Sequence, residues 1–140
     1  MIEKSKQKGI EMKKIIAVSL LSLFAVSGYA LTITGVGADI EVSYQEPATN
    51  LDGTPLDDLS RTTIYYSTDS KVTRIEAFRV TATARSGNGN IIQHIMLPIL
   101  PGQQANFSVW ATASDLSGNE SEDSNTETIR IDRLAPSAPR

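Results

Sequence analysis

The chain has 140 residues, with 13 Lys and Arg against 16 Asp and Glu, one histidine, one tryptophan and no cysteine. From Leu31 onward eight basic side chains face fourteen acidic ones, a balance that argues against nonspecific nucleic-acid binding. Without cysteine there is no disulfide, no thiol nucleophile and no lipid-bearing cysteine, so a domain of this size depends on its hydrophobic core.

The segment "MKKIIAVSLLSLFAVSGYA", Met12 to Ala30, places two lysines before an apolar run, Ile15 to Val26, and then small residues. That order reads as a secretory signal peptide cut after Ala30, with Gly28 at the −3 position; a cut after Gly28 is the alternative. The apolar run, about 12 residues, falls short of the roughly 20 that a membrane span needs. Residues 1–30 are therefore expected to be removed, leaving a secreted, periplasmic or cell-surface chain with no membrane span; an uncleaved anchor is the competing reading. Residues 1–11 read as an over-called start, because the codons for Lys8 to Glu11 can hold a purine-rich ribosome-binding site ahead of Met12, which points to a bacterial or bacteriophage gene.

Past Ala30 the pattern is one of short alternating segments rich in Val, Ile, Thr and Tyr, broken by Gly, Asn, Asp and Pro. Strands are expected at Leu31–Gly37, Asp39–Pro47, Arg61–Asp69, Ile91–Leu100, Ala105–Asp115 and Glu127–Asp132, with one or two more within Lys71–Arg85. Ile40, Val42 and Tyr44 alternate inward, as do Phe107, Val109, Ala111 and Ala113. "SGNGN", Ser86–Asn90, reads as a hairpin turn, since Asn-Gly takes positive φ. About seven strands in one unit, residues 31–132, predict an all-β, antiparallel sandwich or barrel. The Pro/Ala-rich end, residues 133–140, reads as a tail or linker.

The residues "EPATNLDGTPLDDL" leading into "TIYY", then "LPGQQANFSV" and "ATASDLSGNESEDSN", resemble a bacterial fibronectin type III domain over nearly the whole span from Leu31 to Asp132. The resemblance implies a seven-stranded immunoglobulin-like sandwich with "PATNLDGTPLDDL" as the loop between its second and third strands. Two positions depart from the family: Tyr44 stands where its core tryptophan falls, and Ala105 where its corner tyrosine falls. The missing tyrosine implies a weaker corner after the Pro-Gly turn, or a corner built another way. Lys71 to Leu100 is longer than in compact members and aligns least well.

Asp52, Asp57 and Asp58 raise the question of a metal or catalytic cluster. Their spacing does not match the calcium loop D-x-[DN]-x-[DN]-G, calcium needs six to eight converging oxygens, and acid–base work needs a carboxylate in a pocket that raises its pKa. The alternative is turn chemistry: Asp52 caps its own backbone at Gly53, and Leu56 and Leu59 fold back as apolar plugs. "SDLSGNESEDSN" reads the same way, with Gly118 at positive φ and Ser121 or Asn125 bonding the backbone. His94 reads as a strand residue touching solvent. A lone histidine without cysteine does not make a zinc site unless several carboxylates join it, and no G-x-S-x-G elbow occurs. "NFS" and "NES" match glycosylation sequons, which the bacterial signs discount. No catalytic residue, metal or cofactor is expected.

With Phe107, Val109 and Ala111 inward, Trp110 faces outward. By the same alternation, inward Ile64 and Tyr66 leave Tyr65 outward, and inward Ile129 and Ile131 leave Arg130 outward. In the implied fold these strands are neighbours in one sheet. Trp110, Tyr65 and Arg130 are thus expected to form one exposed patch of residue types favoured at binding hot spots; the competing expectation is that Arg130 or the long segment after Tyr66 covers the tryptophan. The implied function is a noncatalytic interaction or spacer module binding a protein at the cell exterior. The alternative is a carbohydrate-binding accessory module.

Overall fold

The computed structural model describes residues 30–140; the proposed leader lies outside the described residues apart from Ala30. Seven strands follow in chain order: β1 (Thr32–Gly35), β2 (Asp39–Gln45), β3 (Leu59–Ser67), β4 (Ile75–Thr81), β5 (Asn90–Met96), β6 (Gln104–Asp115) and β7 (Glu127–Asp132). They form two antiparallel sheets, β1-β2-β5 and β4-β3-β6-β7. The described chain is a β-sandwich with neither helix nor closed barrel, and so contains no helix long and apolar enough to cross a membrane.

The alternation of side chains builds the core. Ile40 and Val42 of β2 are fully enclosed, and Tyr44 beside them nearly so. They meet Ile64 of β3, Phe107, Val109 and Ala111 of β6, and Ile131 of β7 from the other sheet. Tyr44 puts its hydroxyl 2.6 Å from that of Thr62, so a polar bond crosses the sandwich where the resemblance places a tryptophan; burial raises its phenol pKa, against the pull of the Thr62 bond. Of the inward-facing residues of β6, Ala113 is only half-buried.

Several boundaries differ from the sequence reading. The long segment after Tyr66 holds one strand, β4, preceded by a turn over residues 68–74. β5 stops at Met96 because Pro98 has no N–H for the ladder, yet Leu97 and Ile99 remain buried. "SGNGN" is not a hairpin turn, because β4 and β5 lie in different sheets. Positive φ occurs there at Gly87 and Asn88. The close packing also requires glycine, since a side chain on Gly87 would run into the Pro47 carbonyl and one on Gly89 into Thr83 and Glu46.

Glu46 holds this crossing between sheets. Only 2% exposed, its carboxylate accepts from the Thr83 N–H at 2.9 Å, the Thr83 hydroxyl at 2.5 Å and the Gly89 N–H at 3.1 Å. A buried carboxylate is tolerated when it is fully bonded in this way.

Candidate functional site

The outer face of the four-stranded sheet carries the expected aromatic pair. Tyr65 on β3 lies directly opposite Trp110 on β6, and their rings stack 6.0 Å apart at 19°. The alternation thus puts both on the face it predicted. Exposure is what fails: Trp110 is 1% exposed. The turn 68–74 folds back over the sheet, placing Lys71 Nζ 4.7 Å above the Trp110 ring and the Arg74 guanidinium 4.1 Å above that of Tyr65.

Carboxylates from the connection between β6 and β7 clip this cover down. Lys71 pairs with Asp123 at 2.8 Å, and Arg74 bridges Glu120 at 2.9 Å and Asp123 at 3.2 Å. Glu120 also accepts from the Thr112 hydroxyl at 2.6 Å and the Tyr65 hydroxyl at 2.9 Å. The Thr112 bond above all, with those from Tyr65 and Arg74, holds its pKa below the usual carboxylate value despite partial burial. Trp110 Nε1 is buried beneath the cover with no partner.

Arg130 does not join the group. It lies opposite Asn106, four residues along β6 from Trp110, which is about 13 Å of strand, and donates to Gln104 at 2.5 Å. The three-residue patch is therefore replaced by Trp110, Tyr65, Lys71 and Arg74. The signal for the two cations was present in "STDSKVTR", a polar turn with basic residues three apart beside an aromatic strand.

The acidic loops perform turn chemistry. Asp52 Oδ1 accepts from the Thr54 N–H at 3.0 Å and its hydroxyl at 2.6 Å, and these bonds, the hydroxyl's first, lower the Asp52 pKa. Leu56 and Leu59 are buried as expected. Asp115 plays the same part for Asn119, with bonds of 2.9 and 2.8 Å. Among the described residues no three His, Asp or Glu side chains converge as metal ligands.

Beyond Gly118, whose φ is 88° as expected, the connection runs beside β6. Ser121 and Ser124 each bond it twice: their hydroxyls accept from the Ala113 and Ala111 N–H groups at 2.9 Å, and their own N–H groups donate to the same residues' carbonyls at 2.8 Å. Asn125 accepts from Leu31 N at 2.8 Å and donates to Leu31 O at 2.9 Å, tying β1 to the opposite sheet. His94 is an exposed strand residue lying between Asp39 at 3.2 Å and Glu41 at 3.4 Å. Glu46 is the functional-looking group that sequence reasoning missed; the signal was there, since the alternation of Ile40, Val42 and Tyr44 places position 46 next on the inward face.

Comparison with family models, curated proteins and solved structures finds no match to this chain.

Proposed function

We propose that this chain is an exported, noncatalytic module of fibronectin type III type that presents a rigid surface to a protein partner or spaces its neighbours. One observation carries the reading: most of the polar side chains in the loops are engaged in holding those loops. Asp52 and Asp115 cap turns, Ser121 and Ser124 pair with β6, and Glu46 binds the crossing between sheets. Groups bonded in this way supply shape rather than acid–base chemistry. The seven strands and the adjacency of β3, β6 and β7 in one sheet agree with what the motif resemblance implies. Export is supported by the proposed cut falling between exposed Ala30 and Leu31, the first core residue among the described residues.

The glycan-binding alternative needs an open aromatic platform, and the one tryptophan is sealed. Expression of the full chain in a bacterial host tests the proposal. Mass spectrometry of the exported fraction should find a chain beginning at Leu31, with no turnover of ester, glycoside, phosphate or peptide substrates and no retention on a glycan array. A cytosolic chain retaining Met12, or turnover abolished by changing His94 or Asp52, would overturn it.

A further inference from the structure

Two clefts open along the connection that follows β6. One, of about 830 Å³, lies between that connection and the loop after β2; the other, of about 430 Å³, continues beside residues 121–125 toward Leu31. They share Pro47, Ala113, Ser121 and Glu122, so they form one elongated groove. Buried Leu56, Leu59 and Ala111 lie at its base, and Leu51, which also lines it, is fully exposed.

Every charged side chain lining the groove is acidic: Asp52, Asp115, Glu120, Glu122 and Asp123. Lys71 and Arg74 neutralise Glu120 and Asp123 from the sheet's outer face. No cation lies within ion-pair distance of Asp52, Asp115 or Glu122 among the described residues. Both walls are preformed. The loop after β2 is laced by Asn50 N to Thr54 O and Leu56 N to Ala48 O, and the other wall by its serine bonds to β6. A rigid wall saves the ordering cost that a floppy loop would charge on binding.

We infer that this groove docks an extended basic segment of a partner protein, whose aliphatic side chains pack against exposed Leu51 while arginine or lysine reaches the rim carboxylates. The run of lining residues from Leu51 in one cleft to Leu31 in the other favours an extended chain over a compact ligand. The rim repels nucleic acid, and a second copy of this chain, itself acidic, lacks the charge complementarity that steers partners together. The inference rests on the interaction-module reading and names its partner class.

The probe is a fluorescein-labelled heptapeptide of alternating arginine and leucine, titrated into the purified chain and followed by anisotropy. Micromolar binding is expected at about 50 mM salt, weakening several-fold at about 300 mM, with no binding of the glutamate–leucine counterpart. Glu122→Lys combined with Asp52→Asn, which keeps the turn, should weaken binding about tenfold with an unchanged melting temperature. Asp39→Asn combined with Glu41→Lys makes the same charge change on the opposite sheet and should leave affinity unaltered. Equal loss in both double variants, binding of the acidic peptide, or no binding at low salt would overturn the groove. Failure here in a chain that is exported and turns over no substrate removes the groove and leaves the module reading; turnover removes the reading whatever the peptide does.

Discussion

The indole of Trp110 is enclosed between Tyr65, Lys71 and its own sheet, so deleting it empties a cavity rather than baring a surface. Trp110→Ala should cost about 3 kcal/mol, in the range for large aromatic deletions, and iodide should quench the native fluorescence poorly. Lys71→Ala removes the lid together with its partly exposed ion pair to Asp123, so it should cost about 1 kcal/mol, the scale of a partly exposed cation–π contact and a surface ion pair, and quenching should rise. Efficient quenching in the unaltered chain would show that the cover is open in solution. Glu46 gives the complementary case of a buried acceptor. Glu46→Ala strands the N–H groups of Thr83 and Gly89 and should cost about 3 kcal/mol, read from a urea melt. A loss below about 0.5 kcal/mol, the scale of an ordinary surface change, would mean that the crossing is held elsewhere.

At the scale of elements, the corner between β5 and β6 is built differently from the one the resemblance implies. Ala105 is half-buried against the core and has no hydroxyl to tie the loop. Arg133, just past β7, takes over: its guanidinium donates to Ile99 O at 2.6 Å, and its backbone bonds Gly102 and Gln103. Arg133→Ala should therefore destabilise the fold by about 1–2 kcal/mol through loss of a charge-assisted bond, whereas Arg140→Ala should be neutral; equal melting curves for the two would remove the corner role. β4 shows why the middle of the chain was hard to read. It is an edge strand, paired to β3 alone, and a bulge at Ala77 puts Glu76 and Arg79 on one face, 2.7 Å apart. Bulges and charges blunt an edge against pairing with other chains, and they also break the period of two from which strands are recognised. Where alternation was clean, in β2 and β6, faces and core were legible. What covers a face depends on contacts distant in sequence, such as Lys71 with Asp123, and no local period records them.

Across the whole molecule, four carboxylates work in the same direction. Asp52, Asp69, Asp115 and Glu120 all have pKa values below their ordinary ones, chiefly through side-chain bonds to Thr54, Thr73, Asn119 and Thr112 respectively. A carboxylate depressed in the folded state binds protons more readily when unfolded. Its stabilising effect is therefore complete above the unfolded values, about 3.9 for Asp and 4.3 for Glu, and disappears as the pH falls through the lower folded ones. Stability should be nearly flat above about pH 5 and fall toward pH 3, with the urea midpoint as the measurement. Asp52 and Asp69 are exposed and Asp115 is only half-buried, so screening makes each contribution small and the slope belongs to the set. The variant carrying Asp52→Asn, Asp69→Asn and Asp115→Asn separates cause from coincidence. Asparagine can still accept the turn bonds but does not titrate, so this variant should keep most of its neutral-pH stability while its midpoint falls less between pH 5 and pH 3. An unchanged slope would place the acid sensitivity outside these turns. Collapse at neutral pH would show that the turns need the charge itself and not merely an oxygen in the right place.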